Sequence, residues 1–202
     1  MKVVAFNGCP RKGGNTEICL NLIGEELSKQ GIELEIIQVG TRAKPCTACY
    51  QCLERGDDHC IQTDEVNGWI DKMVEADGII LASPVYYGGM KCFLDRAFLA
   101  AGPKLHHKVG AAVVTLRRSG GLETYQQLNA YMNTMEMVMA TSDYWQVAHG
   151  LEKGEVCQDT EGVEVMRKLG RNIAWLVQLI EHGKGTVDAP ETGARTMTNF
   201  VR

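Results

Sequence analysis

Four cysteines stand close together in the chain, and their spacing is the first sign of chemistry. Cys46, Cys49, Cys52 and Cys60 fall within fifteen residues, and the first three follow the pattern C-x2-C-x2-C. Thiolates spaced in this way can wrap one face of an iron–sulfur cluster, whereas zinc sites usually pair two C-x-x-C steps across a longer gap. Three interpretations stay open: a cluster, bare thiols or a disulfide, and a zinc site.

A glycine-rich loop near the N-terminus is the second chemical signal. Residues 8–16 read Gly-Cys-Pro-Arg-Lys-Gly-Gly-Asn-Thr, between a strand-like apolar run and a helical pattern. Glycines permit a tight turn, a helix start offers unpaired N–H groups, and Arg11 and Lys12 add positive charge, so the loop favours a phosphate. It matches neither a P-loop nor a Rossmann fingerprint. Nor does it match the cysteine loop of low-molecular-weight tyrosine phosphatases, because Asn15 stands where that loop needs Arg.

Composition narrows the classes of function. The 202 residues carry a net charge of −4 and no run rich in Lys or Arg, which argues against nucleic-acid binding. No apolar stretch reaches transmembrane length, and strand-like residues follow Met1 directly, so we expect no membrane partner and no signal peptide. Eight cysteines then indicate a reducing cytoplasm, where metal sites or reactive thiols are commoner than disulfides.

Apolar runs alternate with amphipathic segments, and this alternation predicts the elements that position these residues. Strands are predicted at 3–7, 33–39, 78–82, 109–116 and 144–148, and helices at 16–29, 65–75, 91–100, 122–139 and 161–181. The pattern predicts an α/β fold, a doubly wound five-stranded parallel sheet with helices on both faces. We expect one domain over residues 1–182, with a cysteine-rich insert at 45–62, and a C-terminal tail at 183–202.

The loops after the third and fourth predicted strands are the next candidates, because ligands bind beyond the carboxyl ends of such strands. Residues 83–88 read Ser-Pro-Val-Tyr-Tyr-Gly and offer an apolar wall, backbone N–H groups and aromatic side chains suited to a flavin ring. Residues 115–123 read Thr-Leu-Arg-Arg-Ser-Gly-Gly-Leu-Glu, where the two glycines open backbone amides to a ligand. A solvated arginine-rich turn is the alternative for this last segment.

Together these segments resemble the flavodoxin-like NADPH-dependent FMN reductase and iron–sulfur flavoprotein families. The first loop resembles their G-S-P-R-x-G-(G)-N-T pattern, with Cys9 in place of the usual serine. Residues 83–88 resemble their S-P-x-Y-x-G segment, ahead of a K-x-x-x-D-R helix formed here by Lys91, Asp95 and Arg96. The compact cysteine motif is similar to the one that holds a [4Fe–4S] cluster beside FMN, although related reductases carry cysteines there without an assured cluster.

The resemblance implies which residues hold each cofactor. The expected FMN contacts are Cys9, Arg11, Lys12, Gly13, Gly14, Asn15, Thr16, Ser83, Pro84, Val85, Tyr86, Tyr87, Gly88, Leu116, Arg117, Ser119, Gly120 and Gly121. The expected ligands of a possible [4Fe–4S] cluster are Cys46, Cys49, Cys52 and Cys60. No side chain is expected to act as a catalytic acid, because the protein supplies position and electrostatics to the flavin.

The function predicted from the residues and the resemblance is an FMN-dependent oxidoreductase. Hydride would pass from NAD(P)H to FMN and on to a quinone, a free flavin or another small acceptor. One alternative is an electron carrier that exchanges single electrons with a ferredoxin-type partner, and another is a flavin-binding regulatory module without turnover. The resemblance also implies a homodimer or homotetramer, with the methionine-rich stretch 132–139 and the final helix as candidate contacts.

Overall fold

The computed structural model describes residues 1–86, 89–193, 196–198 and 200. The strands in this part of the chain are β1 (Lys2–Asn7), β2 (Glu33–Gln38), β3 (Gly78–Pro84), β4 (Val109–Leu116), β5 (Val138–Met139) and β6 (Val147–His149). They form one parallel sheet in the order β2-β1-β3-β4-β5, and β6 also pairs with β4. The strand order reverses direction between β1 and β3, which is the kind of position where such sheets bind ligands.

Helices cover both faces of this sheet. They are α1 (Asn15–Ser28), α2 (Gln51–Arg55), α3 (Val66–Glu75), α4 (Gly89–Ala101), α5 (Gly121–Asn133) and α6 (Thr160–Gly183), with 3₁₀ turns at Gly102–Leu105 and Glu155–Gln158. One apolar core lies between the sheet and α3, α4 and α5, and a second lies between the sheet and α1 and α6. Every residue of β4 is buried, as expected for a strand covered on both faces. The predicted doubly wound parallel sheet is confirmed.

Two element predictions at the edge of the sheet are wrong in their bounds. The predicted helix 122–139 ends at Asn133, and a turn with Glu136 at a φ of +50° leads into β5. The predicted fifth strand 144–148 is found as the shorter β6, which pairs with the end of β4. Strand β5, which pairs with the start of β4, lies inside the predicted helix 122–139. Met132 and Met137 are buried in the core, and pairing of Val138 and Met139 with β4 overrides the helix predicted there. The proposed contact helix 132–139 is therefore not continuous.

The C-terminal end of the chain is built around α6. Its N-cap Asp159 accepts a hydrogen bond from the N–H of Gly162, which satisfies one free amide of the first turn. One side of α6 is buried, while Trp175 and Leu179 are exposed. In the part of the chain that the structure describes, no helix has the length and apolarity needed to cross a membrane. Described residues after α6 form no helix or strand, and the domain boundary at 182 stays a prediction.

Candidate functional site

The loops after β1, β3 and β4 meet at the carboxyl edge of the sheet and enclose one cleft, called here the strand-end cleft. Its volume is about 280 Å³, close to the lower end of the range for small-molecule sites, about 300 Å³. Nine of the residues predicted to contact FMN line it: Cys9, Arg11, Asn15, Thr16, Pro84, Val85, Tyr86, Leu116 and Arg117. The structure thus brings together residues that are far apart in the chain.

Further lining residues were not among those predicted from the sequence: Pro10, Thr115, Gly150 and Leu151. The N–H of Gly150 donates to the carbonyl of Leu116 over 2.8 Å, so the segment after β6 extends the wall of the cleft. Sequence reasoning could have found most of these residues, because ligands bind beyond the carboxyl ends of the strands in such a sheet. Thr115 lies at the end of β4, and residues 150 and 151 directly follow β6.

The start of the loop after β1 is held from two neighbouring strands. The N–H of Gly8 donates to the carbonyl of Ala82 over 2.8 Å, and the N–H of Cys9 donates to Asn7 Oδ1 over 3.0 Å. The carbonyl of Cys9 accepts from Gln38 Nε2. Cys9 is buried, so the residue that replaces the family's usual serine is a fixed part of the cleft wall.

The middle of this loop is set by Gly13. Its φ is +67°, in the left-handed region that favours glycine. The N–H of Gly13 donates to Glu17 Oε2 over 2.7 Å. Lys12, Gly13 and Gly14 are not among the residues that line the strand-end cleft as the described residues form it. Their contacts with FMN stay predictions.

Asn15 and Thr16 begin α1, and both side chains are buried. Asn15 Nδ2 donates to the carbonyl of Glu152, and Asn15 Oδ1 accepts from the N–H of Gly154, each over 2.9 Å. Thr16 Oγ1 lies 2.7 Å from Thr115 Oγ1. Neither side chain caps the helix; instead they join three loops. Helix α1 begins at the cleft. The N–H groups of its first turn lack helical partners, so this end of the helix suits an anion.

The loop after β3 forms a second wall. The N–H of Val85 donates to the carbonyl of Thr115 over 2.9 Å, which continues the pairing of β3 with β4. Tyr86 is 62% exposed and lines the cleft. Ser83 does not line it; its hydroxyl donates to the carbonyl of Pro84 over 2.9 Å. Two predicted residues of this loop lie outside the described residues: Tyr87 and Gly88.

The loop after β4 divides its predicted residues between two cavities. Leu116 and Arg117 line the strand-end cleft. Gly120 has a φ of +85°, and a Cβ there would lie 3.0 Å from Val85 Cγ1, so this loop packs tightly against the loop after β3. A second cavity of about 340 Å³ is lined by the other predicted residues of this loop: Ser119, Gly120 and Gly121.

The four clustered cysteines line one small pocket, called here the cysteine pocket, of about 10 Å³. Cys52 lies on α2, while Ala48 and Tyr50 just before it have φ values of +53° and +55°. All four thiols are free. In the residues that the structure describes, no three Cys, His, Asp or Glu side chains are placed so that they could hold a metal ion.

Arg96 of α4 reaches into this pocket and ties the cysteine segment together. Its side chain is fully buried, and its Nε donates to Cys60 Sγ over 3.2 Å. Its two terminal nitrogens donate to the carboxylate of Asp64 over 2.7 and 2.8 Å and to the carbonyls of Lys44 and Gln62 over 3.4 Å. This guanidinium joins the start of the cysteine segment, at Lys44, to its end, at residues 60–64. Its hydrogen bonds lower the pKa of Asp64.

The thiols of the cysteine pocket differ in their surroundings. Burial raises the pKa of Cys52, and the neighbouring Cys60 and Cys46 raise it further. Cys49 is exposed, and hydrogen bonds from the backbone of Gln51 and the side chain of Thr47 lower the pKa of its thiol. Four thiols around one pocket beside a buried positive charge suit thiolate ligation in donor type. Their present positions do not form a closed ligand set.

The sequence profile of one family, described as NADPH-dependent FMN reductase, matches residues 1–152. The chain belongs to this family. Membership supports FMN as the cofactor and a flavin-dependent oxidoreductase as the class of protein. The predicted resemblance is thereby confirmed at the level of the family.

A similar curated protein is the iron-sulfur flavoprotein MJ1083 of Methanocaldococcus jannaschii. It is 37% identical over 194 residues, which cover 90% of this chain and 100% of that protein. Another is the iron-sulfur flavoprotein of Methanosarcina thermophila, 30% identical over 91% of this chain and 99% of that protein. The similarity to both relatives therefore extends over about nine-tenths of the chain.

Among solved structures, an archaeal flavodoxin matches 88% of this chain and 99% of its own with a TM-score of 0.58 and 20% identity. RosB, solved with a bound 8-demethyl-8-formylriboflavin-5'-phosphate intermediate, matches 100% of this chain and 94% of its own with a TM-score of 0.72 and 15% identity. At these identities the likeness concerns the fold. The predicted flavodoxin-like fold is confirmed.

Proposed function

We propose that this protein binds FMN in the strand-end cleft and uses it to pass hydride from NAD(P)H to a small acceptor. The observation that carries the proposal is the strand-end cleft itself, at the switch point of the sheet in a member of the FMN reductase family. The phosphate would lie at the first turn of α1 near Arg11. The ring would lie between the Val85–Tyr86 wall and residues 116–117.

The residues of the cleft would act by position and electrostatics. Bound FMN supplies the hydride chemistry, since it accepts a hydride from reduced nicotinamide and passes electrons to an acceptor. The amides of α1 and the charge of Arg11 would hold the phosphate. The walls joined by the Thr16–Thr115 contact would keep the ring in place and exclude water from one face.

The first experiment asks whether FMN is present and reacts. Protein purified without added cofactor should be yellow, and the flavin released by heat should be FMN rather than FAD. In anaerobic stopped-flow mixing, NADPH or NADH should bleach the flavin within the time of turnover. A colourless protein that takes up no FMN would remove the proposal, and a flavin that only a ferredoxin-type donor reduces would favour the electron carrier.

A [4Fe–4S] cluster in the cysteine pocket is a further part of the proposal. It is supported by the four thiols that line one pocket and by two full-length relatives named iron-sulfur flavoprotein. The ligands would be the thiolates of Cys46, Cys49, Cys52 and Cys60, which would have to move closer together to enclose the cluster. With a cluster, single-electron exchange with a ferredoxin-type partner is the second candidate function.

Anaerobic purification followed by iron and sulfide analysis tests the cluster. About four irons per chain, lost in the Cys49→Ala variant, is the expected result for a cubane held by these thiols. A matched control is Cys157→Ala, because Cys157 is also an exposed thiol but lies outside the cysteine pocket. Iron-free protein that retains FMN under anaerobic conditions would leave a plain flavin reductase.

A homodimer or homotetramer and a reducing cytoplasmic location also belong to the proposal. Exposed apolar side chains on α6, Trp175 and Leu179, support contact with a second copy. The eight cysteines of the chain favour a reducing compartment, where metal sites or reactive thiols are commoner than disulfides. Light scattering should give at least twice the mass of one chain, which is 22.3 kDa. A mass of one chain at micromolar concentration would contradict the oligomer.

A further inference from the structure

A second cavity lies next to the strand-end cleft and is called here the aromatic pocket. Its volume is about 340 Å³, and it lies between the loop after β4, strand β6 and the start of α6. Leu116 lines both cavities. The two cavities therefore meet at Leu116, the last residue of β4.

The inner surface of the aromatic pocket is apolar and closely packed. Leu116, Val147 and Val165 supply aliphatic surface. A Cβ at Gly121 would lie 2.9 Å from Val147 Cγ1, so the start of α5 packs closely against β6 at this wall. Apolar walls of this kind favour ligands that are themselves largely apolar.

The mouth of the pocket carries two large aromatic side chains. Tyr144 is 58% exposed and Trp145 is 50% exposed, and their ring centroids lie 5.0 Å apart at an interplanar angle of 49°. Both residues line the pocket. Exposed aromatic surface at a cavity mouth loses water favourably when a planar ligand covers it, so this pair forms a stacking wall.

The charged side chains that line the pocket disfavour ligands that carry a phosphate. Arg118 lines the pocket together with three residues that carry carboxylates: Glu123, Asp159 and Glu161. The carboxylate of Asp159 is already used: it accepts from the N–H groups of Gly162 and His149 and lies 3.2 Å from His149 Nδ1. Its bonds also occupy the start of α6, where an anion would otherwise bind. A phosphate-bearing ligand such as a nicotinamide nucleotide is therefore disfavoured here.

We propose that the aromatic pocket binds the electron acceptor, a planar aromatic or quinoid molecule that is uncharged or cationic and carries no phosphate. The inference rests on the proposed function and deepens it, because it separates the acceptor from the phosphate-bearing donor. The redox balance closes with a quinone: it takes two electrons and two protons from reduced FMN and leaves as the hydroquinone, while the flavin returns to its oxidised form.

The test uses duroquinone, whose four ring methyl groups prevent addition of cysteine thiols to the ring. In Trp145→Ala, KM for duroquinone should rise about tenfold, which corresponds to about 1.4 kcal/mol of lost binding. FMN affinity and the rate of flavin reduction by NADPH should stay at their wild-type values. Trp175→Ala is the matched control, since Trp175 is an exposed tryptophan of α6 outside the pocket.

A charge variant tests the ligand class independently of packing. Glu161→Gln should lower KM for the anionic acceptor anthraquinone-2-sulfonate by about twofold to fivefold, since it removes a repelling carboxylate. KM for uncharged duroquinone should not change. If Trp145→Ala and Trp175→Ala have the same KM for duroquinone, or if Glu161→Gln leaves both values unchanged, the acceptor does not bind in this pocket.

Direct binding separates failure of this inference from failure of the proposed function. Duroquinone should quench tryptophan fluorescence saturably in the wild-type protein, and the saturable part should disappear in Trp145→Phe. If no nicotinamide donor supports turnover, the proposed function fails, yet this titration still decides whether the pocket binds the quinone. Equal quenching in the wild type and Trp145→Phe would overturn the inference even when turnover is present.

Discussion

The strand-end cleft and the cysteine pocket are held by different means. The cleft is formed by the ends of paired strands, and its walls are joined by hydrogen bonds such as Val85 N–H to the Thr115 carbonyl. The cysteine segment contains the five-residue helix α2 and several positive-φ residues. The buried guanidinium of Arg96, on α4, joins the start of this segment to its end. A site on strand ends takes its geometry from the fold, whereas a site on irregular backbone depends on single long-range contacts.

The largest expected contrast is in thiol reactivity, between the cysteine segment and the buried side of α1, the helix that begins at the cleft. Burial raises the pKa of Cys19, on α1, to about 12, while Cys49 is exposed in the cysteine segment. In cluster-free protein at pH 8, iodoacetamide should alkylate Cys49 on the order of a thousand times faster than Cys19. Peptide mass spectrometry over time measures both rates, and unfolded protein is the control. Equal rates in the folded protein would show that α1 opens readily.

Removing Arg96 should destabilise the cysteine segment, because this one side chain holds its two ends together. Arg96→Met leaves the carboxylate of Asp64 without its buried partner, which should lower the free energy of unfolding by about 3 kcal/mol. The control is Arg55→Met, whose ion pair with Asp57 is exposed and should contribute less than about 1 kcal/mol. Urea denaturation measures both variants. Equal small losses would mean that Arg96 does not hold the segment.

The same ion pair predicts a dependence of stability on pH. Arg96 lowers the pKa of Asp64 in the folded protein, so the pair stabilises fully above the unfolded value of about 3.9. This contribution is lost as the pH falls through the folded pKa. The difference in unfolding free energy between wild type and Arg96→Met should therefore shrink below about pH 4. A constant difference from pH 7 to pH 3 would contradict this assignment.

On the side of the cleft, FMN affinity should depend on Arg11 and not on Arg96. Arg11→Ala should weaken FMN by about 1–3 kcal/mol if the guanidinium contacts the phosphate. Lys12→Ala is the comparison variant: Lys12 is the adjacent cation but does not line the cleft as the described residues form it, so its loss of FMN affinity should be smaller. Fluorescence titration of the apoprotein with FMN measures each affinity. A larger loss for Lys12→Ala than for Arg11→Ala would reverse their roles.

The smallest expected effect concerns the contact that joins two walls of the cleft. Thr16→Val removes one hydroxyl of the buried Thr16–Thr115 pair and should lower the free energy of unfolding by about 1 kcal/mol. Thr16→Ser keeps the hydroxyl and should lose clearly less. Thermal unfolding of the apoprotein compares the two variants. If serine and valine are equally destabilising, packing of the methyl group rather than the hydrogen bond stabilises this wall.

Much of the fold and part of the candidate site were predictable because their signals are local in the chain. The apolar runs of β1, β3 and β4 indicate strands buried on both faces, and a glycine-rich loop before a helix indicates an anion site. The rule of strand ends then brings Arg11, Tyr86 and Leu116 to one edge of the sheet. The structure places all three along the strand-end cleft.

The edge of the sheet was less predictable because the signals conflict there. The helix predicted from residue 122 extends through the methionine-rich stretch to Met139. The backbone instead turns after Asn133 and pairs Val138 with Val109. A two-residue strand leaves almost no pattern in a sequence, and its existence depends on the neighbour that it pairs with.

By itself, the sequence determined the family, the parallel sheet, the strand-end position of the cleft and the gathering of four thiols in one segment. Only the tertiary structure decided that Arg96, 36 residues from Cys60, closes the cysteine pocket. It also decided that Ser119 and Gly121 line the aromatic pocket and not the strand-end cleft. The reason is physical: periodicity and motif spacing report short-range order, whereas side-chain direction and packing depend on contacts between distant segments.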